Sequence, residues 1–144
     1  MSAGKGIRHS EYNHSKEKPL HLLQIWILPR TRGLQPRWEQ RLFTTAERSG
    51  KLLPVVSDGG LSGTLRIDQD AQVYVSNLVA RQQAVHKSRP GRKAYLFTIA
   101  GELAVNGASL AQGDQGRIAD ETELNILAIK DSELILLDLP EVRA

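Results

Sequence analysis

The second half of the chain is a succession of short apolar segments separated by turn-forming residues, and this pattern restricts the fold more than any other feature. The strongest single turn signal is Asn106-Gly107, because both residues tolerate the positive φ of a type I′ hairpin. Short strands at this spacing are typical of a sandwich or barrel. We therefore predict an all-β fold, with strands at residues 64–67, 71–78, 94–99, 102–105, 116–118, 123–128 and 133–139.

The same segments predict the core. Alternating or near-continuous apolar strands bury one or both faces. We expect residues 62–140 to form a complete antiparallel β-barrel with an apolar interior and no bound metal. The residues predicted to supply much of that interior are Val73, Val75, Leu96, Ile99, Leu103, Val105, Ile118, Ile126, Leu134 and Leu136.

The first third of the chain is less regular. Residues 20–28 are dense in Leu and Ile and predict a strand that closes at Pro29, which cannot donate a ladder hydrogen bond. Residues 30–41 predict a connector in which the Trp38 ring packs against the core. Residues 43–50 predict a short helical turn that ends at a glycine.

A histidine and a carboxylate lie two residues apart near the start of the chain. On an extended strand His9, Glu11 and Asn13 would point to one face. Imidazole and carboxylate are ligands of divalent transition metals, but a normal site takes about three or more ligands. Either further ligands come from elsewhere, or the site is a remnant, or the two side chains are a surface pair that bond only to each other.

Three segments of the chain carry a family pattern: residues 1–13, including His-Ser-Glu-Tyr-Asn, residues 20–29, Leu-His-Leu-Leu-Gln-Ile-Trp-Ile-Leu-Pro, and residues 36–41, Pro-Arg-Trp-Glu-Gln-Arg. Together they resemble the pirins, a family of two-domain cupin proteins. The resemblance covers the whole chain but only the latter part of a pirin. It implies a cupin-type antiparallel β-barrel in the C-terminal domain, residues 46–144, preceded by a connector and the remaining strands of a truncated N-terminal cupin, residues 1–45.

The resemblance also assigns roles to the N-terminal pair. It implies that His9 and Glu11 are two of four metal ligands, the other two being histidines of an upstream His-Pro-His-like segment. We expect low occupancy of this half-site and no cofactor in the isolated chain, with iron or another divalent transition metal bound only if the site is completed. His14 is interpreted as an exposed loop residue, and His21 as a strand residue that bonds to a neighbour.

The second barrel is predicted to be metal-free. The order of strands and glycines over residues 94–114 resembles the middle of a cupin, but the positions where cupins place histidine ligands hold none here. The only histidine of this half, His86, is placed by its neighbours Lys87, Arg89, Arg92 and Lys93 in a basic loop, where positive charge disfavours a cation.

Composition narrows the functional classes. Cysteine is absent, so thiol chemistry is excluded and a cytoplasmic location is expected. Residues 1–51 carry ten Lys or Arg against four Asp or Glu, but these charges are scattered without a nucleic-acid motif or an aromatic platform. A solvated face is the preferred interpretation, and neither nucleic acid nor a membrane is predicted as a partner.

Two functional hypotheses remain. Catalytic nucleophile motifs are absent, and Asp68 and Asp70 are interpreted as turn residues, so we assign no catalytic residue. We favour a non-catalytic binding or regulatory module, as the resemblance implies through pirins that act as transcriptional cofactors. The alternative is a quercetin 2,3-dioxygenase-type oxygenase with its metal site completed by another chain.

A homodimer is expected, formed through the truncated first barrel, because an unpaired apolar strand recruits other strands. A different protein partner is the other possibility.

Overall fold

The structure, a computed structural model, describes residues 1–141 of the chain, so the predicted domain end at residue 144 lies outside it. The all-β prediction is confirmed. The elements are one helical turn and ten strands: α1 Thr45–Arg48, β1 Leu53–Ser57, β2 Leu65–Arg66, β3 Gln72–Leu78, β4 Gln83–Lys87, β5 Arg92–Ala100, β6 Glu102–Val105, β7 Ala108–Ala111, β8 Gln115–Ile118, β9 Glu123–Ala128 and β10 Ser132–Pro140.

The strands form two sheets that face each other as in a cupin barrel. The six-stranded sheet has the order β2-β1-β3-β10-β5-β8, and the four-stranded sheet has the order β4-β9-β6-β7. Pairing among the named strands is antiparallel except between β1 and β2. Strand β10 is central because it pairs along its length with both β3 and β5.

Local turn chemistry accounts for much of this order. Asn106, at φ 46°, and Gly107, at φ 88°, connect β6 to β7 as the hairpin signal predicted. At the start of α1 the hydroxyl of Thr44 accepts a hydrogen bond from the Glu47 amide while the Glu47 carboxylate accepts one from the Thr44 amide. This capping box, followed by Gly50 at φ 69°, confirms the short helical turn.

Two apolar clusters lie on opposite faces of the six-stranded sheet. The interior core fills the space between the sheets and includes Leu96, Leu103, Val105, Ile126, Leu134 and Leu136, as predicted, with Ile118 packed against it. Val73 is buried as predicted, and Val75 and Ile99 are partly buried, but these three residues belong to an outer cluster with Val55, Ile135 and Leu137 and not to the interior. Both faces of β3 and β10 are covered, so their near-continuous apolar pattern does not reveal which face is the interior.

The predicted strand at residues 20–28 is wrong. This segment has no regular secondary structure, and His21 is accordingly an exposed residue outside any strand. Strand-forming residues become a strand only when a neighbour pairs with them, and no named strand of the described chain does so here. Trp38 was expected to pack against the core but is 65% exposed. The chain start is held instead by an antiparallel bridge between Ser2 and Arg37.

Candidate metal half-site and buried ionic network

The N-terminal histidine and carboxylate are in contact. His9 Nε2 lies 3.7 Å from Glu11 Oε1, and the two side chains are 36% and 51% exposed. Both residues lie in a segment without regular secondary structure, so the pairing depends on local chain direction and not on a strand. The two side chains supply an imidazole and a carboxylate donor at one place on the surface.

The predicted third member of this face is directed elsewhere. Asn13 Nδ2 donates to the Lys18 carbonyl at 2.7 Å, and Asn13 Oδ1 accepts from the Ser15 amide at 3.0 Å. Asn13 therefore stabilises a turn, because its side chain replaces backbone partners there. The expectation that His9, Glu11 and Asn13 share one strand face is wrong.

The donor set is chemically suitable for a first-row transition metal but numerically insufficient. Among residues 1–141, no group of three or more His, Cys, Asp or Glu is close enough to hold a metal ion. His14 and His21 are both exposed. A site of about three or more ligands is therefore not formed by these residues alone.

The placement of His86 in a basic loop is also wrong. His86 lies on β4, is 4% exposed, and its Nε2 is 2.8 Å from Asp138 Oδ2 on β10. Asp138 Oδ1 in turn accepts from Arg92 Nε at 2.5 Å, and Arg92 Nη1 lies 2.8 Å from Asp70 Oδ1. Asp70 is thus an ion-pair partner as well as a turn residue. His86, Asp138, Arg92 and Asp70 form a chain of charged contacts, here called the ionic network.

The surroundings shift the protonation equilibria of the network. Burial alone would raise the pKa of Asp138, but hydrogen bonds from His86 and Arg92 outweigh it, and the pKa is lowered. Burial, together with the Asp138 charge, raises the pKa of Tyr74. The Tyr74 ring meets the His86 imidazole edge-on, with centroids 5.0 Å apart. The immediate partner of the His86 imidazole is therefore the buried Asp138 carboxylate and not the positive charge of a loop.

Local sequence patterns do not reveal this network, because Asp138 is 52 residues from His86 and 46 residues from Arg92. The available signal was an acidic residue, Asp138, within the apolar run of β10, since an isolated carboxylate is rarely buried without a partner. The alternation in β4, where Ala84 and His86 face inward, was a second signal.

A cleft of about 350 Å³ lies on the outer face of the six-stranded sheet beside α1. Its two guanidinium groups are those of Arg41 and Arg48, which pair with Glu47 and Glu133. Both positive charges of the cleft are therefore paired with carboxylates of the same chain.

The comparisons with known proteins agree with this architecture. Residues 54–139 match the quercetinase C-terminal cupin domain, and residues 1–27 match the pirin family. The chain belongs to the pirin family.

Within the described residues, no helix is both long and apolar enough to cross a membrane.

Named relatives give the family match more detail. The chain is 42% identical over 142 residues to a quercetin 2,3-dioxygenase of Escherichia coli K12, covering 99% of the chain and 60% of that relative. A putative quercetin 2,3-dioxygenase of Pseudomonas aeruginosa is 41% identical over 96% of the chain and 60% of its own length. The chain therefore spans about 60% of the curated relatives it matches.

Solved structures confirm the fold. The pirin-family chain superimposes on the crystal structure of YhhW from E. coli with a TM-score of 0.76 at 33% identity, covering 83% of this chain and 50% of that one. The structure of bacterial pirin YhhW in complex with nickel(II) gives a TM-score of 0.75, also at 33% identity, covering 81% of this chain and 49% of that one.

Proposed function

We propose that this 144-residue pirin-family chain is a binding or regulatory module that neither retains a metal tightly nor oxidises flavonols by itself. The proposal rests on the number of side chains that could bind a metal ion together. His9 and Glu11 are joined by no third donor within residues 1–141. Two protein ligands provide too little coordination to hold a divalent ion against water.

The second barrel gives a further argument for a non-catalytic role. The interior of this barrel contains the ionic network, in which the buried His86 and Asp138 side chains already bond to each other. A metal there would have to break the contact of His86 with Asp138 and lie close to the Arg92 guanidinium. Both requirements are unfavourable because the competing ion pair is buried.

Metal-dependent quercetin 2,3-dioxygenase activity is the second candidate. It is favoured by the names of the relatives and by the nickel complex of a relative. In this case His9 and Glu11 would provide an imidazole and a carboxylate, and another polypeptide would provide two more ligands. A divalent metal in such a site would activate O₂ and the flavonol.

Metal retention separates the two candidates. Untagged protein is incubated with Fe²⁺ or Ni²⁺ under anaerobic conditions, desalted, and analysed for bound metal and for flavonol consumption. We expect well under one equivalent of metal and no flavonol loss beyond a metal-only blank. Any weak binding should disappear in His9→Ala and Glu11→Ala and persist in His14→Ala, the matched control with an exposed histidine in the same region.

The opposite outcome is equally clear. The protein would instead be an oxygenase if it retained one equivalent of metal and turned over flavonol in a reaction that Glu11→Ala abolishes and His14→Ala leaves intact. This result would contradict the proposal of a non-catalytic binding module.

A further inference from the structure

The turn between β6 and β7 contains the one asparagine of the chain that precedes a glycine. The chain has four asparagines, and the other three are followed by histidine, leucine or isoleucine. The backbone nitrogen after an asparagine can attack the side-chain amide carbon and close a five-membered succinimide ring. Glycine hinders this attack least, because it has no Cβ. The sequence therefore favours ring closure at Asn106 over the other three positions.

The turn leaves the reacting atoms open to water. Asn106 and Gly107 are both exposed, and they form a two-residue turn with Val105 paired to Ala108. A Cβ built at Gly107 would meet no atom of the described residues within 4 Å. Water can therefore reach a ring formed at this place and hydrolyse it.

Three hydrogen bonds join Asn106 to β9. Asn106 Oδ1 accepts from the Asn125 amide at 2.8 Å, and Asn106 Nδ2 donates to the Glu123 carbonyl at 3.0 Å. The Asn106 amide donates to the Asn125 carbonyl at 3.1 Å. These bonds continue the pairing of β6 with β9 beyond Val105 and Ile126. Both polar atoms of the side-chain amide are engaged, so the amide is held in one orientation.

We propose that Asn106 is a deamidation site, at which ring closure proceeds from an opened hairpin. The Gly107 nitrogen bonds to Asn106 Cγ, the bond from Cγ to Nδ2 breaks, and Nδ2 leaves as ammonia with the proton that the Gly107 nitrogen loses. Water then opens the succinimide at either carbonyl carbon. Breaking the bond from nitrogen to Cγ gives aspartate, and breaking the bond from nitrogen to the main-chain carbon gives isoaspartate.

The closed hairpin slows the reaction. Rotation of the side-chain amide toward the Gly107 nitrogen requires the hydrogen bonds to Glu123 and Asn125 to break. Hydrogen bonds at the end of a hairpin break in local opening, without unfolding of the whole domain. The rate of ring closure therefore follows the population of the opened hairpin.

The products separate the hairpin from β9. Aspartate has an oxygen in place of the Nδ2 donor, so a carboxylate acceptor faces the Glu123 carbonyl. Isoaspartate adds a carbon to the main chain, so the two-residue turn no longer fits the register of Val105 and Ala108. Within the described chain, the only named partner of β7 is β6, so this edge strand is the element that the modification releases.

Peptide mapping by mass spectrometry tests the site on the full 144-residue chain. Folded protein and protein unfolded in urea are incubated side by side in mildly alkaline buffer. In the folded sample we expect the mass increase of deamidation at Asn106 ahead of Asn77 and Asn125. The reaction at Asn106 should be at least about tenfold faster in urea, because the hydrogen bonds to β9 are absent there. Modification of folded Asn106 no faster than that of Asn125, or equal rates with and without urea, would overturn the proposal.

A variant that carries the aspartate product tests the release of β7. In Asn106→Asp, the β7 amides that pair with β6 should exchange their hydrogens faster than in the wild type. The matched control is Asn13→Asp, since Asn13 is also exposed and its side chain also donates and accepts within a turn. It should leave β7 unchanged. Equal exchange of β7 in the two variants would show that the modification does not release the hairpin.

Discussion

His86 Nε2 and Asp138 Oδ2 meet at 2.8 Å although the two residues belong to different sheets of the barrel. A second polar contact between the sheets lies at the other end of β10, where the Glu102 amide donates to Ser132 Oγ at 3.0 Å. Six residues separate Ser132 from Asp138, or about 20 Å along a strand. The sheets are therefore joined by polar contacts near both ends of β10 and by the interior core between them.

Asp138→Asn should lower the free energy of unfolding by about 3 kcal/mol, because it removes one member of a buried ion pair. Arg92, whose side chain is 8% exposed, would then keep only the partly exposed Asp70 carboxylate as a counter-ion. Urea unfolding at neutral pH measures the loss. The matched control is Glu123→Gln, which breaks an exposed pair with Lys87 beside His86 and should change stability little. An equal, small effect of both substitutions would contradict a stabilising network.

The same carboxylate should make stability depend on acid pH. The pKa of Asp138 is lowered from its ordinary value of 3.8. A lowered folded-state pKa contributes stability that is present above the unfolded pKa and is lost as pH falls through the folded value. The difference in unfolding free energy between wild type and Asp138→Asn should therefore shrink as the pH falls below about 4. A difference that stays constant down to pH 2 would assign the stabilisation to packing.

Gly101→Ala should be more destabilising than Gly107→Ala. Both glycines have positive φ, 84° and 88°, so both substitutions carry the left-handed backbone cost of about 1–2 kcal/mol. A Cβ at Gly101 would also lie 2.2 Å from the Asp131 carbonyl oxygen, whereas at Gly107 nothing lies within 4 Å. The clash should add roughly 1–3 kcal/mol. Paired thermal melts test the difference, and equal melting temperatures would show that the connection between β5 and β6 can relax.

Thr44→Ala should cost about 1 kcal/mol by removing the side-chain acceptor of the capping box. Thr45→Ala, one residue later in the exposed first turn, is the control and should be close to neutral. Denaturant titration compares them. A larger loss at Thr45 would mean that the Thr44 hydroxyl is not the group that stabilises the start of α1.

The sequence was sufficient to predict those features that depend on residues close together in the chain. Asn106 and Gly107 fix a hairpin through their own backbone preferences, and the apolar alternation of β6 and β9 places their side chains in the interior core. By contrast, Val73 and Val75 lie on the outer face. Their assignment depends on which elements cover each face of the sheet, and a strand that is apolar on both faces does not encode that information.

In the candidate sites, too, only contacts between residues close together in the chain were predictable. His9 and Glu11 are two residues apart, and their contact was predictable. Asp138 lies 52 residues from His86, and the charged neighbours of His86 suggested a loop more strongly than its own alternation suggested a strand. At residues 20–28 the strand propensity is real, but pairing requires a neighbour that a single-chain pattern does not specify.

The central position of β10 has a consequence for synthesis on the ribosome. Residues 132–140 are the last strand of the described chain to be translated, yet they separate β3 from β5 in the finished sheet. Until they emerge, the nascent six-stranded sheet is two disconnected pieces, β2-β1-β3 and β5-β8, with unpaired edges at β3 and β5. The barrel is therefore completed late, and a ribosome that stalls before residue 132 would release a chain prone to aggregation.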